Sequence, residues 1–158
     1  MPPPPEPASG RLDGPVHRYA VRVYYEDTDL SGVVYHANYL RWFERARSDL
    51  LRLIGIDQRA AVDNGTGYYA VAGMTLAFRA PARLGETVLI ETTAEDVGAA
   101  TARLRQRALR GETLLCEAEV RVGFVGPDLR PRRQPPDWRA AFTALAAGTA
   151  PHSSTPEG

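Results

Sequence analysis

The stretch Val23–Leu40, with the sequence VYYEDTDLSGVVYHANYL, marks the point where the hydrophobic period of the chain changes. Before it, Tyr19, Val21 and Val23 alternate with polar residues, which is the period of a half-buried strand. From about Ala37 onward, apolar residues recur every three or four positions, as on one face of a helix of about four or five turns. The stretch therefore predicts a strand, a turn and a long amphipathic helix.

Four strand-like runs follow the predicted helix, at residues 69–78, 87–97, 101–109 and 114–124. Short Gly-containing turns separate several of them, which favours antiparallel pairing. A single sheet has one apolar face to cover, and one long helix with a wide apolar stripe can cover it. The sequence thus predicts an α+β fold in which a curved five-stranded antiparallel sheet wraps around one central helix. A short closing helix is predicted from Pro136 or Asp137 to Leu145.

Composition sets limits on the domain and its partners. Hydrophobic residues make up 44% of the 158, which suffices for one core. Residues 1–15 and 147–158 are rich in proline or small polar residues and are predicted to be disordered tails, so the folded domain is placed at 16–146. A formal net charge of zero argues against nucleic acid as the main partner. One cysteine, Cys116, no signal peptide and no membrane span predict a cytoplasmic protein.

The turn before the helix contains the residues that could take part in catalysis. Asp27, Asp29 and His36 lie within ten residues of one another, and Gly32 permits a sharp bend. A helix N-terminus offers unpaired N–H groups that can hold a developing oxyanion, and a nearby carboxylate can act as a nucleophile or as a base for water. An Asp in such a turn is, however, more often a capping residue. The sequence contains neither metal-ligand spacing nor a Gly-x-Ser-x-Gly elbow, so no metal is predicted.

The same stretch resembles the hotdog-fold thioesterases through Asp29-x-x-Gly32-x-Val34-Tyr35-His36, and the match continues in the helix with WFERAR at residues 42–47. It is closest to the acyl-CoA thioesterases associated with the Tol-Pal system and similar to the 4-hydroxybenzoyl-CoA thioesterases. The resemblance implies hydrolysis of acyl-CoA, with Asp29 as nucleophile or general base and the helix N-terminus as oxyanion hole. It leaves open an acyl carrier protein thioesterase or a non-catalytic acyl-binding or scaffold protein.

Further roles follow from the resemblance, residue by residue. His36 would bind the thioester or orient water, and the N–H groups near His36 and Ala37 would face the carbonyl. Tyr35 is expected to shape the pocket. Glu44 is expected to be mainly structural, paired with Arg47 or Arg41, although some relatives use a helix carboxylate in catalysis. Other expected contacts with the substrate are the pocket wall Met74, Thr75 and Leu76 and the phosphate-binding Arg79 and Arg83.

The run of residues 69–78 also predicts that the chain assembles with further copies of itself. This run carries no charge, so an exposed edge there would aggregate unless another copy covered it. We therefore expect a homodimer or homotetramer that binds acyl-CoA, with no cofactor, since coenzyme A is part of the substrate. A link to the Tol-Pal system or to acyl carrier protein rests on the resemblance alone.

Overall fold

A computed structural model describes residues 1–150 of the chain. Three helices and six strands follow one another in the order β1 (Arg11–Asp13), β2 (Val16–Arg22), α1 (Asn38–Leu53), α2 (Gln58–Asp63), β3 (Tyr68–Phe78), β4 (Thr87–Val97), β5 (Thr101–Arg110), β6 (Thr113–Val125) and α3 (Pro136–Ala146). A single 3-10 turn, Tyr25–Asp27, lies between β2 and α1. The predicted strand, long helix and four strands are all present, and so is the closing helix.

The strands form one antiparallel sheet in the order β1-β2-β4-β5-β6-β3. Six strands replace the predicted five, because β1 pairs with β2 where a disordered tail was expected. Leu12 explains the difference: it is buried in the core between the exposed Arg11 and Asp13. Three residues are too few to show a period in the sequence, and the expectation of a tail is wrong for this segment.

The prediction of a C-terminal tail at residues 147–158 is also wrong for residues 149 and 150. The Thr149 N–H donates to the Ala144 carbonyl at 2.8 Å, and Ala150 is buried. Residues 151–158 lie outside the described residues. No helix in the described part of the chain is long and apolar enough to cross a membrane.

Helix α1 lies against the inner face of the sheet and supplies the centre of the core. Trp42, Phe43, Ala46 and Leu50 are buried among Val88, Ile90, Leu104 and Val120. Gly55 follows the helix with φ +83°, the left-handed conformation that glycine adopts readily after a helix end. The stripe of apolar residues in the sequence is thus the face that the sheet covers.

Strand β3 forms one edge of the sheet, because it pairs only with β6. Its register shifts between Val71 and Gly73, so Ala72 is the extra residue of a β-bulge. The bulge reverses the alternation of faces. Tyr69 and Val71 lie opposite the core residues Phe124 and Val122, and Met74 lies opposite Val120. Regular alternation without the bulge would place Ala70 and Ala72 on the face of Met74, so the bulge changes which residues of β3 face the core.

A buried hydrogen bond between His17 and Asp49 ties the N-terminal segment to α1. His17 is fully buried, and its Nε2 lies 2.7 Å from Asp49 Oδ2, which also accepts the Gly10 N–H at 2.9 Å. The Asp49 Oδ1 accepts from Arg52 at 3.1 Å. The His17 Nδ1 is buried without a hydrogen-bond partner in the described residues. Burial lowers the pKa of His17, against the opposing influence of Asp49, because a second proton on the ring would have no acceptor.

This burial predicts a pH-dependent stability. The folded-state pKa of His17 lies below its ordinary value of 6.5, so the unfolded chain binds the proton first and the free energy of unfolding falls as pH drops below that value. The contribution of one such group has a slope of at most about 1.4 kcal/mol per pH unit. Urea unfolding between pH 7 and pH 5 measures it. His17→Gln should flatten the slope, and the control His36→Gln, at an exposed histidine, should keep it; equal slopes for wild type and His17→Gln would contradict this account.

Candidate active site

The turn that precedes α1 is held in place by Asp27. One oxygen of its carboxylate accepts the Tyr24 N–H at 2.8 Å, and the other accepts the Asn38 side-chain amide at 3.0 Å. The Tyr35 N–H donates to the Asp27 carbonyl at 2.9 Å. These bonds connect the end of the first long strand to the start of the helix. They give Asp27 the structural role that the sequence favoured over a catalytic one.

Asp29 lies at the exposed tip of this turn. Its Oδ1 accepts two hydrogen bonds from Ser31, one from the backbone N–H at 2.8 Å and one from the hydroxyl. Both bonds stabilise the charged carboxylate and lower the pKa of Asp29 below its ordinary value. The bond from the hydroxyl has the larger effect, and the bond from the backbone N–H comes next. The backbone N–H of Val33 also lowers this pKa. Asp29 is therefore exposed and ionised at neutral pH.

The start of α1 lies directly after this carboxylate. The Asn38 N–H donates to the Tyr35 carbonyl at 2.8 Å, whereas the N–H groups of His36 and Ala37 have no partner in the described backbone. Ala37 occupies the N-cap position, and no side chain caps the helix there. The Asn38 side chain reaches back to Asp27 and leaves the helix end open to an acceptor.

His36 and Tyr35 are both exposed and lie beside the last residue of β3. The centroid of the His36 ring lies 4.5 Å from that of Tyr35 and 6.0 Å from that of Phe78, and the His36 and Phe78 rings meet edge to face. On the other side of the turn, Val33 forms an isolated antiparallel β-bridge with Arg83. The exposed Arg83 thus lies next to the turn of Asp29, and none of the ion pairs among the described residues uses its side chain.

The remaining predicted substrate contacts are dispersed. Arg79 forms an ion pair with Glu117 at 2.8 Å, so its charge is already compensated. Met74 and Leu76 face α1, opposite buried residues of β6, whereas Thr75 lies opposite the exposed Glu119 on the outer face. Asp29, Tyr35, His36 and Ala37 thus lie in the turn before α1 with Arg83 beside it, whereas Glu117 engages the charge of Arg79 and Thr75 lies on the outer face.

A cavity of about 280 Å³ opens beside the other half of β3. Glu44 lies on its rim with Arg47 and Ser48, and its further lining residues are Leu50, Leu51, Gln58, Tyr69, Val71, Leu104, Val122 and Phe142. Glu44 forms no ion pair within 4.0 Å among the described residues, so the predicted pair with Arg47 or Arg41 is absent, although Glu44 does favour the charged form of Arg47. No sequence pattern predicted this cavity. Its one signal is the run Glu44-Arg45-Ala46-Arg47-Ser48, in which Glu44, Arg47 and Ser48 fall on the same side of α1 at spacings of three and four residues.

Other reactive groups are not placed for catalysis. Cys116 is buried on the inner face, and burial raises the pKa of its thiol to about 12, so it is a small core residue as predicted. Within residues 1–150, no group of three or more His, Cys, Asp or Glu side chains could hold a metal ion.

Comparisons with known proteins identify the family. The model of the thioesterase-like superfamily matches residues 23–144. The acyl-CoA thioesterase YbgC of Haemophilus influenzae is 37% identical over 80% of this chain and 94% of its own length. The acyl-CoA thioester hydrolase YbgC of Escherichia coli is 42% identical over 79% of this chain and 94% of its own. A probable thioesterase from Bartonella henselae, 36% identical, superposes with a TM-score of 0.72 over 76% of this chain and 99% of its own.

The Ser31 contact predicts a measurable change in the carboxylate. Ser31→Ala removes the hydroxyl but keeps the backbone N–H, so the pKa of Asp29 should rise toward its ordinary value. Carboxyl ¹³C NMR titration measures this, with Asp29→Asn to assign the resonance. Thr28→Val is the matched control, because the Thr28 hydroxyl donates to the Tyr25 carbonyl instead. An unshifted titration in Ser31→Ala would show that the hydroxyl does not hold the carboxylate.

Proposed function

The chain belongs to the thioesterase-like superfamily, has the hotdog fold and hydrolyses acyl-CoA thioesters, and we propose that Asp29 is the catalytic carboxylate. The supporting observation is that the exposed, ionised carboxylate of Asp29 lies in the turn that leads directly into the N-terminus of α1. A carboxylate and a pair of unpaired N–H groups are the two parts that acyl transfer requires. The names of the curated relatives favour CoA thioesters over the acyl carrier protein and scaffold alternatives.

In the proposed mechanism, the N–H groups of His36 and Ala37 bind the thioester carbonyl oxygen, and their hydrogen bonds strengthen as that oxygen gains charge. An oxygen of the Asp29 carboxylate attacks the carbonyl carbon or takes a proton from an attacking water. The thiolate of coenzyme A leaves in either route, and in the first route water then hydrolyses the acyl anhydride on Asp29 and releases the free acid. His36 binds the thioester or orients water. The chemistry needs no metal and no cofactor besides the coenzyme A of the substrate.

We propose that the exposed edge of β3 pairs with a second copy of the chain. The strand runs for 11 residues without a charge, whereas the opposite edge, β1, has three residues and two charges. Short or charged edges resist unwanted pairing, and a long uncharged edge does not. Antiparallel pairing of β3 about a two-fold axis would satisfy its outward N–H and carbonyl groups and give a closed dimer.

Such pairing would also unite the two halves of the site. In one subunit, Phe78 beside His36 and Val71 beside the cavity are separated by seven residues, or about 23 Å along a strand. A two-fold axis near Gly73, the middle residue of β3, would place Phe78 close to Tyr68 of the partner subunit. The cavity of one subunit would then adjoin Asp29 of the other, and Arg83 beside the turn would be available to the phosphates of coenzyme A.

Two further proposals concern the location and the association of the protein. A cytoplasmic location follows from the single cysteine, which suits a reducing compartment. An association with the Tol-Pal system is proposed from the similarity to the YbgC thioesterases alone.

Asp29→Asn tests the assignment of the carboxylate. The amide keeps the shape of the side chain but can neither attack nor accept a proton, so kcat should fall by about 10²–10⁴. Release of free thiol from acyl-CoA measures the rate. Glu44→Gln, the same change at the other carboxylate, should retain more activity, and so should His36→Ala, because the helix N–H groups remain. If Glu44→Gln were the more damaging change, Glu44 would replace Asp29 in the mechanism.

Light scattering tests the assembly. At micromolar concentration the wild-type chain should have at least twice the mass of the 17.3 kDa monomer. Met74→Pro should weaken assembly, since alternation along the ladder directs the Met74 N–H away from β6, at the free edge of the strand, and proline removes it. Asp63→Pro, an equivalent change at the end of α2 and away from the edge, is the control. A fully active monomer would refute both the edge pairing and the shared site.

A further inference from the structure

The N–H groups that the proposed mechanism assigns to the oxyanion belong to a two-residue segment, His36 and Ala37. This segment joins Tyr35 to Asn38, the first residue of α1, and lies outside every strand and helix. His36 is exposed and Ala37 is half-buried. Since an exposed segment has little packing of its own, the bonds at its two ends must set the direction of its N–H groups.

Both ends of this segment are attached to Asp27. Before it, the Tyr35 N–H donates to the backbone carbonyl of Asp27 at 2.9 Å. After it, the side-chain amide of Asn38 donates to Oδ1 of Asp27 at 3.0 Å. Asn38 is buried and Asp27 is half-buried, so water has limited access to the second bond. A bond to a carboxylate is also stronger than one between neutral groups.

Asp27 also fixes the place of Asp29, two residues later. Its Oδ2 accepts the Tyr24 N–H at 2.8 Å, which anchors Asp27 just after the end of β2. The Asp29 N–H in turn donates to the Val33 carbonyl at 2.9 Å. The chain to the carboxylate and the bonds to the oxyanion segment therefore start from the same residue, and this residue sets the distance between the two parts of the site.

Loss of the bond between Asn38 and Asp27 would release one end of the segment only. The Tyr35 N–H would still hold the other end, and the buried face of α1 would still hold the helix. The N–H groups could then turn away from the carbonyl oxygen, and hydrogen bonds weaken steeply with misalignment. Because the oxyanion needs these bonds most in the transition state, the loss should affect turnover more than substrate binding.

We propose that Asp27 and Asn38 form a positioning pair that holds the N–H groups of His36 and Ala37 at a fixed distance from Asp29. The inference rests on the proposed function, in which these N–H groups and Asp29 perform the chemistry. Neither member of the pair contacts the substrate in this account, and each acts through the residues that it holds.

Asn38→Asp tests the pair through its pH dependence. At pH 8 a second carboxylate would face Asp27 in place of the amide donor, so kcat should fall about 10- to 100-fold while KM stays within about threefold of wild type. Repulsion between the carboxylates raises the pKa of the pair, and below that pKa a shared proton replaces the lost donor. The deficit relative to wild type should therefore shrink at pH 5, where Asp29 remains ionised.

Asn64→Asp is the matched control, at the other asparagine of the chain. An aspartate there can accept the same bonds from the Thr66 N–H and hydroxyl, so kcat should equal that of wild type at both pH values. Other charged groups beside Asp27 stay unchanged in each variant, so their titration cancels in the comparison with wild type. These groups are Arg22, Glu26 and Arg45, which line the same groove.

The exchanged pair, Asp27→Asn combined with Asn38→Asp, tests the contact itself. The new amide can accept the Tyr24 N–H through its oxygen and donate to the new carboxylate through its nitrogen, so both side-chain bonds are kept. Its kcat at pH 8 should exceed that of Asn38→Asp by about tenfold. Asp27→Asn alone serves if Asn38→Asp does not fold. It should lower kcat with little change in KM, because the single amide oxygen must replace two carboxylate oxygens.

Three results would overturn the proposal. They are a wild-type kcat at pH 8 in Asn38→Asp, or in Asp27→Asn where that variant replaces it, a deficit of Asn38→Asp that does not change with pH, and an exchanged pair no faster than Asn38→Asp. Full activity of Asp29→Asn is a separate result. It would refute the proposed function but leave the comparison among the variants of the pair intact.

Discussion

The packing of α1 against the inner face of the sheet determines where every functional group of this protein lies. Because the apolar stripe of the helix faces the sheet, the N-terminus of α1 is directed toward the end of β3, where His36 meets Phe78. The same helix brings Glu44 and Arg47 to the cavity beside the start of β3. One helix thus carries the proposed oxyanion site at its beginning and the cavity residues Glu44 and Arg47 about two turns later.

The two functional regions lie too far apart along β3 to act within one subunit. The uncharged edge of β3 resolves this separation in the proposed dimer, since antiparallel pairing brings unlike ends of the strand together. Stability and catalysis then depend on the same contact: covering the edge prevents aggregation and also completes the site. This coupling accounts for an edge strand that has neither the charges nor the proline that usually protect such edges.

The sequence predicted the parts of the fold that depend on a repeated period. The stripe of α1 and the alternation of β4 and β6 extend over many residues, so their faces could be assigned. The face of β3 could not, because Ala70, Ala72 and Gly73 are small on both sides and give no sign of a bulge at Ala72. At the site, the turn of Asp29 was visible as a contiguous motif. The bond between Arg47 and Gln106 joins residues 59 positions apart, which no local pattern reveals.

Subunit complementation tests most directly whether Asp29 of one subunit acts on an acyl group held by the other. Two variants are made, Asp29→Asn and Ser48→Trp, the second filling the mouth of the cavity, and their subunits are unfolded together and refolded. If the site is shared, half of the dimers are mixed and each has one intact site, so the mixture should recover about a quarter of wild-type activity. A mixture no more active than the average of the two separate variants would contradict the account.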